Sequence, residues 1–382
     1  AHFYGEAAEI LGQAHAAVPS LAIDASRNVL LKCLTCGLIF AIARAISADQ
    51  HRARWLLLAL LASASVVVAY ALLMQRSTHS CYVGGFLKLP GDFHIEADSC
   101  LMSGTFVNSN SFACFEGMAV VATVALLFSS RGARHESDEA FADEESVLSW
   151  LTGGRLVLIA LALVFMGCLL MSGSRAVFAT TVVSVVALVF LMMRGRWRSR
   201  SHLRRTIVAG ILVASLVGVI AGGVLVQKMS RFGEVGNTNR TAIWRTVITA
   251  IGQSPWLGWG LGSFTDIYAV LQPVEIPAAN DRAHSTPLET VLEMGIPAAV
   301  PTLSLVLLPW LVCLWGAWQR RRQRALPAAA FAIATVAILH STVDFSLQIP
   351  AIGFWVSAVL GLGWAQTFGR REPSHRRFTD DP

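Results

Sequence analysis

Charge is the scarcest property of this 382-residue sequence: Asp, Glu, Lys and Arg together make up 14% of it. A soluble domain carries about 25%. With hydrophobic residues at 54%, an ordinary water-soluble globule is excluded. The formal net charge is +6, but the arginines flank apolar runs instead of lining a groove interleaved with aromatics. That placement excludes a nucleic-acid binder. Residues 1–27 lack the basic start and apolar run of a secretory signal, and no internal repeat is visible. A nucleotide-binding loop is missing too. Gly258-Trp259-Gly260-Leu261-Gly262 has neither the following Lys-Ser/Thr nor a preceding strand, and it reads as a tight turn at a membrane boundary.

What the chain does have is nine apolar stretches. A helix needs about 20 residues to cross the hydrocarbon core. The stretches are 29–46, 55–74, 112–128, 156–171, 176–193, 206–226, 296–318, 326–343 and 349–367. They predict an all-α, polytopic transmembrane helix bundle. Arg44, Arg52 and Arg54 separate the first two stretches. Arg194, Arg196, Arg198, Arg200, Arg204 and Arg205 fill one connection, and Arg320, Arg321, Arg322 and Arg324 another. Arg370, Arg371, Arg376 and Arg377 follow the last stretch. Counting spans puts all four groups on one side, which the positive-inside rule makes cytoplasmic. Residues 75–105, 227–295 and 344–348 then face the other side. The first residues also fall outside, so an odd number of further spans is expected upstream. The chain divides accordingly into 1–105 (N-terminal spans and first outer loop), 106–226 (central helices), 227–295 (long outer loop with short helices), 296–369 (C-terminal helices) and 370–382 (polar tail).

Cys33 and Cys36 form a CxxC inside an apolar run, where small-residue packing is expected. Cys114, Cys168 and Cys313 read the same way. Cys81 and Cys100 share one outer loop, where an oxidising compartment permits a disulfide.

The long outer loop holds the chemistry. Ile243, Val247, Ile248 and Ile251 recur at helical spacing from Asn239 onward, and Gly252 is placed to end that helix. Arg240 falls in its first turn, where free N–H groups and a guanidinium suit an anion, phosphate especially. The competing reading is a membrane-surface helix with solvated arginines. Further on, Thr286-Pro287-Leu288-Glu289 is a helix-start signal with Thr286 as N-cap and Glu289 as its partner. His284 is thereby held just before a helix, where it reads either as a base or as an exposed loop histidine. Ser172-Gly173-Ser174 turns between two spans on the same face and delivers Arg175. Two fixed cations and a base suit displacement of a pyrophosphate leaving group.

At these residues the chain resembles the O-antigen ligase and polymerase family of bacterial envelope glycosyltransferases. The resemblance rests on Met171-Ser172-Gly173-Ser174-Arg175, Asn239-Arg240 to Trp244, Ser254-Pro255-Trp256-Leu257-Gly258-Trp259-Gly260 and Ala283-His284 to Gly295. Upstream, Gly104 to Ala113 also resembles a family segment. It is the order and spacing of these motifs, rather than any single one, that carries the match. The resemblance implies transfer of a glycan from an undecaprenyl-pyrophosphate-linked donor to an acceptor hydroxyl. The acceptor class is a lipid A core, a growing glycan or a protein, and the transfer occurs at the periplasmic face of the bacterial inner membrane. It implies no cofactor and no metal, membrane lipids as surroundings, and about 12 spans. It places the catalytic roles on Arg175, Arg240 and His284. Asn108, Asn110, Arg245, Arg282 and Glu289 stand as substrate-binding candidates around them, although capping accounts equally for Asn108, Asn110 and Glu289. Ser285 stands where the family often has asparagine. A protein O-oligosaccharyltransferase is the close alternative. A polysaccharide flippase or transporter is the distant one, and would show more mid-span ionisable groups than Glu116, His340 and Lys32.

Overall fold

A computed structural model describes residues 22–77, 102–129, 154–194, 240–272, 280–320 and 323–369. Every regular element among them is helical. In chain order these are α1 (Ile23–Ile46), α2 (Gln50–Ser77), α3 (Ser109–Ser129), α4 (Gly154–Met171) and α5 (Arg175–Met193). Next come α6 (240–253), α7 (Phe264–Leu271), α8 (Thr286–Gln319), α9 (Ala325–His340) and α10 (Pro350–Phe368), with a 3₁₀ turn at Ser346–Gln348. Among the described residues, seven helices are long and apolar enough to cross a membrane.

Two expectations change in detail. The run expected over 326–343 is helical only over Ala325–His340, at 16 residues short of a full span. The chain leaves the helix at Ser341 to form the turn that carries Asp344, so residues after His340 make site geometry and not membrane helix. The run expected at 296–318 belongs to a longer helix, Thr286–Gln319, which breaks at Gly295 (φ 71°, ψ 164°). Only the part beyond this break is a free apolar span. The expected span at 206–226, the Cys81–Cys100 pair, all of the basic connection after Arg194 and the tail from 370 lie outside the described residues.

α9 is the centre of the bundle. Residues 326–337 of it are buried almost without exception, and it packs against α3, α5, α8 and α10. Such close approach needs small side chains where backbones meet. A Cβ on Gly363 of α10 would run into Ala330 and Cys313, and one on Gly117 of α3 into Thr181. α1 lies at the rim and leaves Leu30, Leu31, Leu34 and Leu38 exposed, as a lipid-facing helix should.

Hydrogen bonds fix which ends of the helices lie together. Arg194 at the end of α5 donates to Trp318 O at 2.7 Å, and Arg324 before α9 donates to Leu191 O at 3.4 Å. Arg320 donates to Thr367 O and Gly369 O, and Gln366 to Ser47 O. The arginine-bearing connections therefore share one end of the bundle. At the opposite end Met102 N donates to Met171 O, Thr286 N to Ser341 O, and Ser26 Oγ to Leu261 O. That end carries the turn before Arg175, the helices α6 and α7, and the 341–349 segment.

Candidate active site

A second, smaller hydrophobic cluster builds the lobe at this end. Ile243, Val247 and Ala250 of α6 pack with Phe264, Ile267 and Tyr268 of α7 and with Ala283 and Leu292. The helical periodicity places Ile243 and Val247 inward as expected, whereas Ile248 is exposed. Each large side chain buried here contributes roughly 1.5–3 kcal/mol. Two indoles tie the pieces together: Trp244 Nε1 donates to Ala283 O at 3.0 Å, and Trp259 Nε1 to Ala250 O at 2.9 Å. Arg240 at the start of α6 and His284 before α8 are thus held by one small core.

They converge on a residue from a third place, Asp344. Its carboxylate is fully buried. Arg240 Nη2 donates to Oδ2 at 3.4 Å, and His284 Nδ1 lies 3.4 Å from Oδ1. The backbone N–H of Phe345 donates to Oδ1 at 2.8 Å. His340 Nε2 lies 3.8 Å from Oδ2, and its Nδ1 is 2.7 Å from Ser346 Oγ. Burial pushes the Asp344 carboxyl upward. The hydrogen bond from His284, the His340 ring, the Phe345 N–H and the Arg240 charge together outweigh it and hold the group below its ordinary value. An ionised carboxylate can only accept, so Nδ1 of His284 carries a proton toward Asp344. Arg240 and His284 remain about a quarter exposed, at 27% and 23%, so both still reach solvent or a ligand.

His284 occupies the left-handed region at φ 49°, where a side chain is strained and the surroundings must hold it. Ala283 N on one side donates to Glu289 Oε2 at 2.8 Å, and the His284 ring meets Phe345 edge-on at 5.2 Å. The helix after it begins one residue earlier than expected: its N-cap is Ser285, not Thr286. Glu289 therefore reaches back to Ala283 rather than to its own N-cap. Its other oxygen accepts from Arg282 at 3.1 Å, and Arg282 also donates to Gln348 at 3.0 Å. Arg282 and Glu289 thus form a bracket from α8 to the 3₁₀ turn, beside His284.

The remaining sequence candidates fall as follows. Arg175 is the first residue of α5, exposed, with Ser174 as N-cap after Gly173 at φ 73°. It lies at the same end of the bundle as Asp344. Asn108 Oδ1 accepts from Asn110 N at 2.7 Å at the start of α3, so Asn108 caps that helix. Asn110 is half-buried beside it, and Arg245 is exposed on α6. Asp344, His340 and Ser346 did not stand out in the sequence as site residues. The available signal was a histidine and an aspartate four apart, where a span meets an outer loop. His340 is not a mid-span path residue, because its ring faces Asp344. Glu116 does lie mid-span on α3, fully buried, and neither oxygen has a hydrogen-bond partner among the described residues.

Residues 159–303 match the family model described as O-antigen ligase. The chain carries an O-antigen ligase domain. The matched stretch takes in α5 with Arg175, the α6–α7 lobe with Arg240, and the first half of α8 behind His284. Asp344 lies beyond it. The O-antigen ligase family is one of membrane glycosyltransferases, and membership implies glycan transfer from a lipid-linked donor. No curated protein matches the chain.

Proposed function

We propose that the Asp344 cluster is where this O-antigen ligase-type enzyme moves a glycan from an undecaprenyl-pyrophosphate-linked donor to an acceptor hydroxyl, facing the periplasm. The observation that carries the reading is one buried carboxylate shared by Arg240 and His284. Asp344 fixes the tautomer and direction of His284, so Nε2 points its lone pair away from the carboxylate. In the reaction Nε2 takes the proton from the acceptor hydroxyl. The hydroxyl oxygen forms a bond to the anomeric carbon from the face opposite the leaving group. The bond from that carbon to the pyrophosphate oxygen breaks, its electron pair leaves with the pyrophosphate, and the configuration inverts. Arg240 and Arg175 offset the charge that develops on the leaving group. General-base help is worth roughly 10²–10⁴-fold, and fixed charge at a site shielded from bulk water adds a comparable share.

The arginines take the role a metal ion plays in other phosphate-transfer sites, so the reaction is metal-independent. The lobe over 227–295 is the catalytic loop in this reading, with Arg245, Arg282, Glu289, Asn108 and Asn110 at or around the substrate. The arginine-rich end of the bundle is cytoplasmic by the positive-inside rule, which supports a periplasmic site. The test is reconstitution with an undecaprenyl-linked donor and an acceptor in liposomes. Transfer is expected with the native chain in the presence of a chelator, and none with His284→Ala. Near-normal transfer by His284→Ala would overturn the base assignment. Deleting the gene separates the acceptor classes. Loss of long chains from the lipid core with donor accumulating marks a ligase, and a single capped repeat marks a polymerase. Intact surface glycan with unglycosylated envelope protein marks a protein O-oligosaccharyltransferase.

A further inference from the structure

Among the described residues, the turn Pro255-Trp256-Leu257 is the most exposed apolar feature of the extramembrane lobe. Trp256 is 71% exposed and Leu257 85%. Two aromatic and aliphatic side chains left in the open at a loop tip are ordinary when they occur singly. Here three further observations say what covers them.

First, the turn is clamped to the point where α8 becomes a span. Ile296 N donates to Pro255 O at 2.9 Å, Trp259 N to Leu292 O at 3.0 Å, and Gly260 N to Glu293 O at 2.9 Å. Gly258 (φ 65°) and Gly295 (φ 71°) cross so closely that a Cβ on either would strike the other strand's backbone. The tip therefore cannot swing away from the start of the crossing segment. Second, that segment shows its lipid-facing row immediately afterwards. Ile296, Val300, Leu305 and Leu308 are all exposed, whereas no residue of 286–294 is. Trp256 and Leu257 continue this row past the end of the helix. Third, residues 246–265 contain no Asp, Glu, Lys or Arg. An outer loop exposed only to water has no reason to exclude charge over such a length. A loop resting in the headgroup and upper acyl region does, because a charge there is costly and an indole is favoured.

We propose that the 255–257 turn is a membrane-interface wedge: it docks the catalytic lobe onto the lipid surface of the leaflet at the Asp344 end of the bundle. The occupant of the apolar tip is bilayer lipid. Trp256 sits at headgroup level and Leu257 reaches the upper acyl chains. The wedge holds α6 and α7 flat against the bilayer boundary, at the level where a lipid-linked pyrophosphate lies. The proposal does not depend on the identity of the base or of the acceptor, since it concerns depth and not chemistry.

The test is a depth measurement on the full chain. With its seven cysteines replaced by serine or alanine, Leu257→Cys is labelled with an environment-sensitive nitrobenzoxadiazole dye in phosphatidylcholine/phosphatidylglycerol nanodiscs. Asp281→Cys, exposed in the loop before His284 and outside the uncharged stretch, is the water-facing control. The expected result is blue-shifted emission at 257, quenched by a spin label placed high on the lipid acyl chain and not by aqueous iodide, with the opposite pattern at 281. Trp256→Cys provides a second labelled position. Each variant is checked by monodisperse elution in detergent, so that a misfolded protein is not scored. Iodide quenching at both 256 and 257 would overturn the wedge. So would protection from both quenchers only in discs that hold two copies, because the tip would then be covered by a second chain.

Discussion

His284 Nδ1 and Asp344 Oδ1 lie 3.4 Å apart although 60 residues separate them in the chain. This contact gives the histidine a direction. A loop histidine at φ 49° has no regular backbone to aim it, and the buried carboxylate does so. The same carboxylate also receives Arg240 from 104 residues upstream. One acidic group thus sets the spacing between the histidine and the arginine.

Asp344→Asn is expected to lower glycan transfer by about 10²-fold or more, within the range general-base assistance supplies. Asparagine retains the size but can present an N–H toward His284 and reverse the tautomer. The measurement is initial rate in liposomes at fixed protein, with detergent thermal unfolding as a control for folding. A rate within two-fold of native would remove Asp344 from the site.

Arg240→Lys and Arg240→Ala separate charge from geometry. Lysine keeps a point charge but not the planar fork. The contact with Asp344 and the proposed role toward the leaving group together predict that lysine retains only a small part of the rate and alanine none. Equal activity of Arg240→Lys and the native chain would mean that charge alone suffices.

The folded value of Asp344 lies below that of an ordinary aspartate. A depressed carboxyl stabilises the fold fully above its unfolded pKa, about 3.9, and the contribution fades as pH falls through the lower folded value. The stability advantage of the native chain over Asp344→Asn should therefore be constant from pH 7 to about 4 and shrink below that. Melting temperatures across a pH series in detergent give the comparison. An advantage that disappears already near neutral pH would contradict the sign.

Gly258→Ala and Gly295→Ala should each destabilise the lobe by about 1–3 kcal/mol, since both sit at positive φ and at a backbone crossing. The expected readout is a lower melting temperature and faster proteolysis within 240–295, with the transmembrane helices unaffected. Gly252→Ala, with open space around it inside a helix, should be neutral or slightly stabilising.

Topology is open to the same cysteine-free background. A thiol at Thr249 should react with an impermeant reagent from the periplasmic side. One at Ala48, exposed in the turn between α1 and α2, should react only after permeabilisation. The reverse pattern would invert the orientation drawn from the arginines.

The lengths of the apolar runs and the spacing of the arginines were enough to read a polytopic helical membrane protein. In lipid each backbone group must be satisfied within its own segment, so a run of apolar residues has little choice but a helix. Arg240, His284 and Arg175 were also legible one by one, each because a local signal marks it: a helix start, a cap, a turn before a span. Where the local signals were weaker, the reading slipped. The end of α9 at His340 and the break of α8 at Gly295 are set by neighbours, since Ser341 and Asp344 accept from Thr286 and the 255–260 turn lies across Gly295.

By itself, then, the sequence determined that this chain is a helical, multi-pass membrane protein. Those properties follow from patterns within about 20 residues, the length over which lipid and helix impose their periodicity. Only the tertiary structure decided that Asp344 joins Arg240 to His284, and that Arg282 and Glu289 brace the loop beside them. Such pairings depend on which helix ends are brought together by packing, and no local period encodes a contact across 60 or 104 residues. A buried carboxylate reads as an ordinary loop aspartate until the arginine and the hydrogen-bond donors that stabilise it are placed around it.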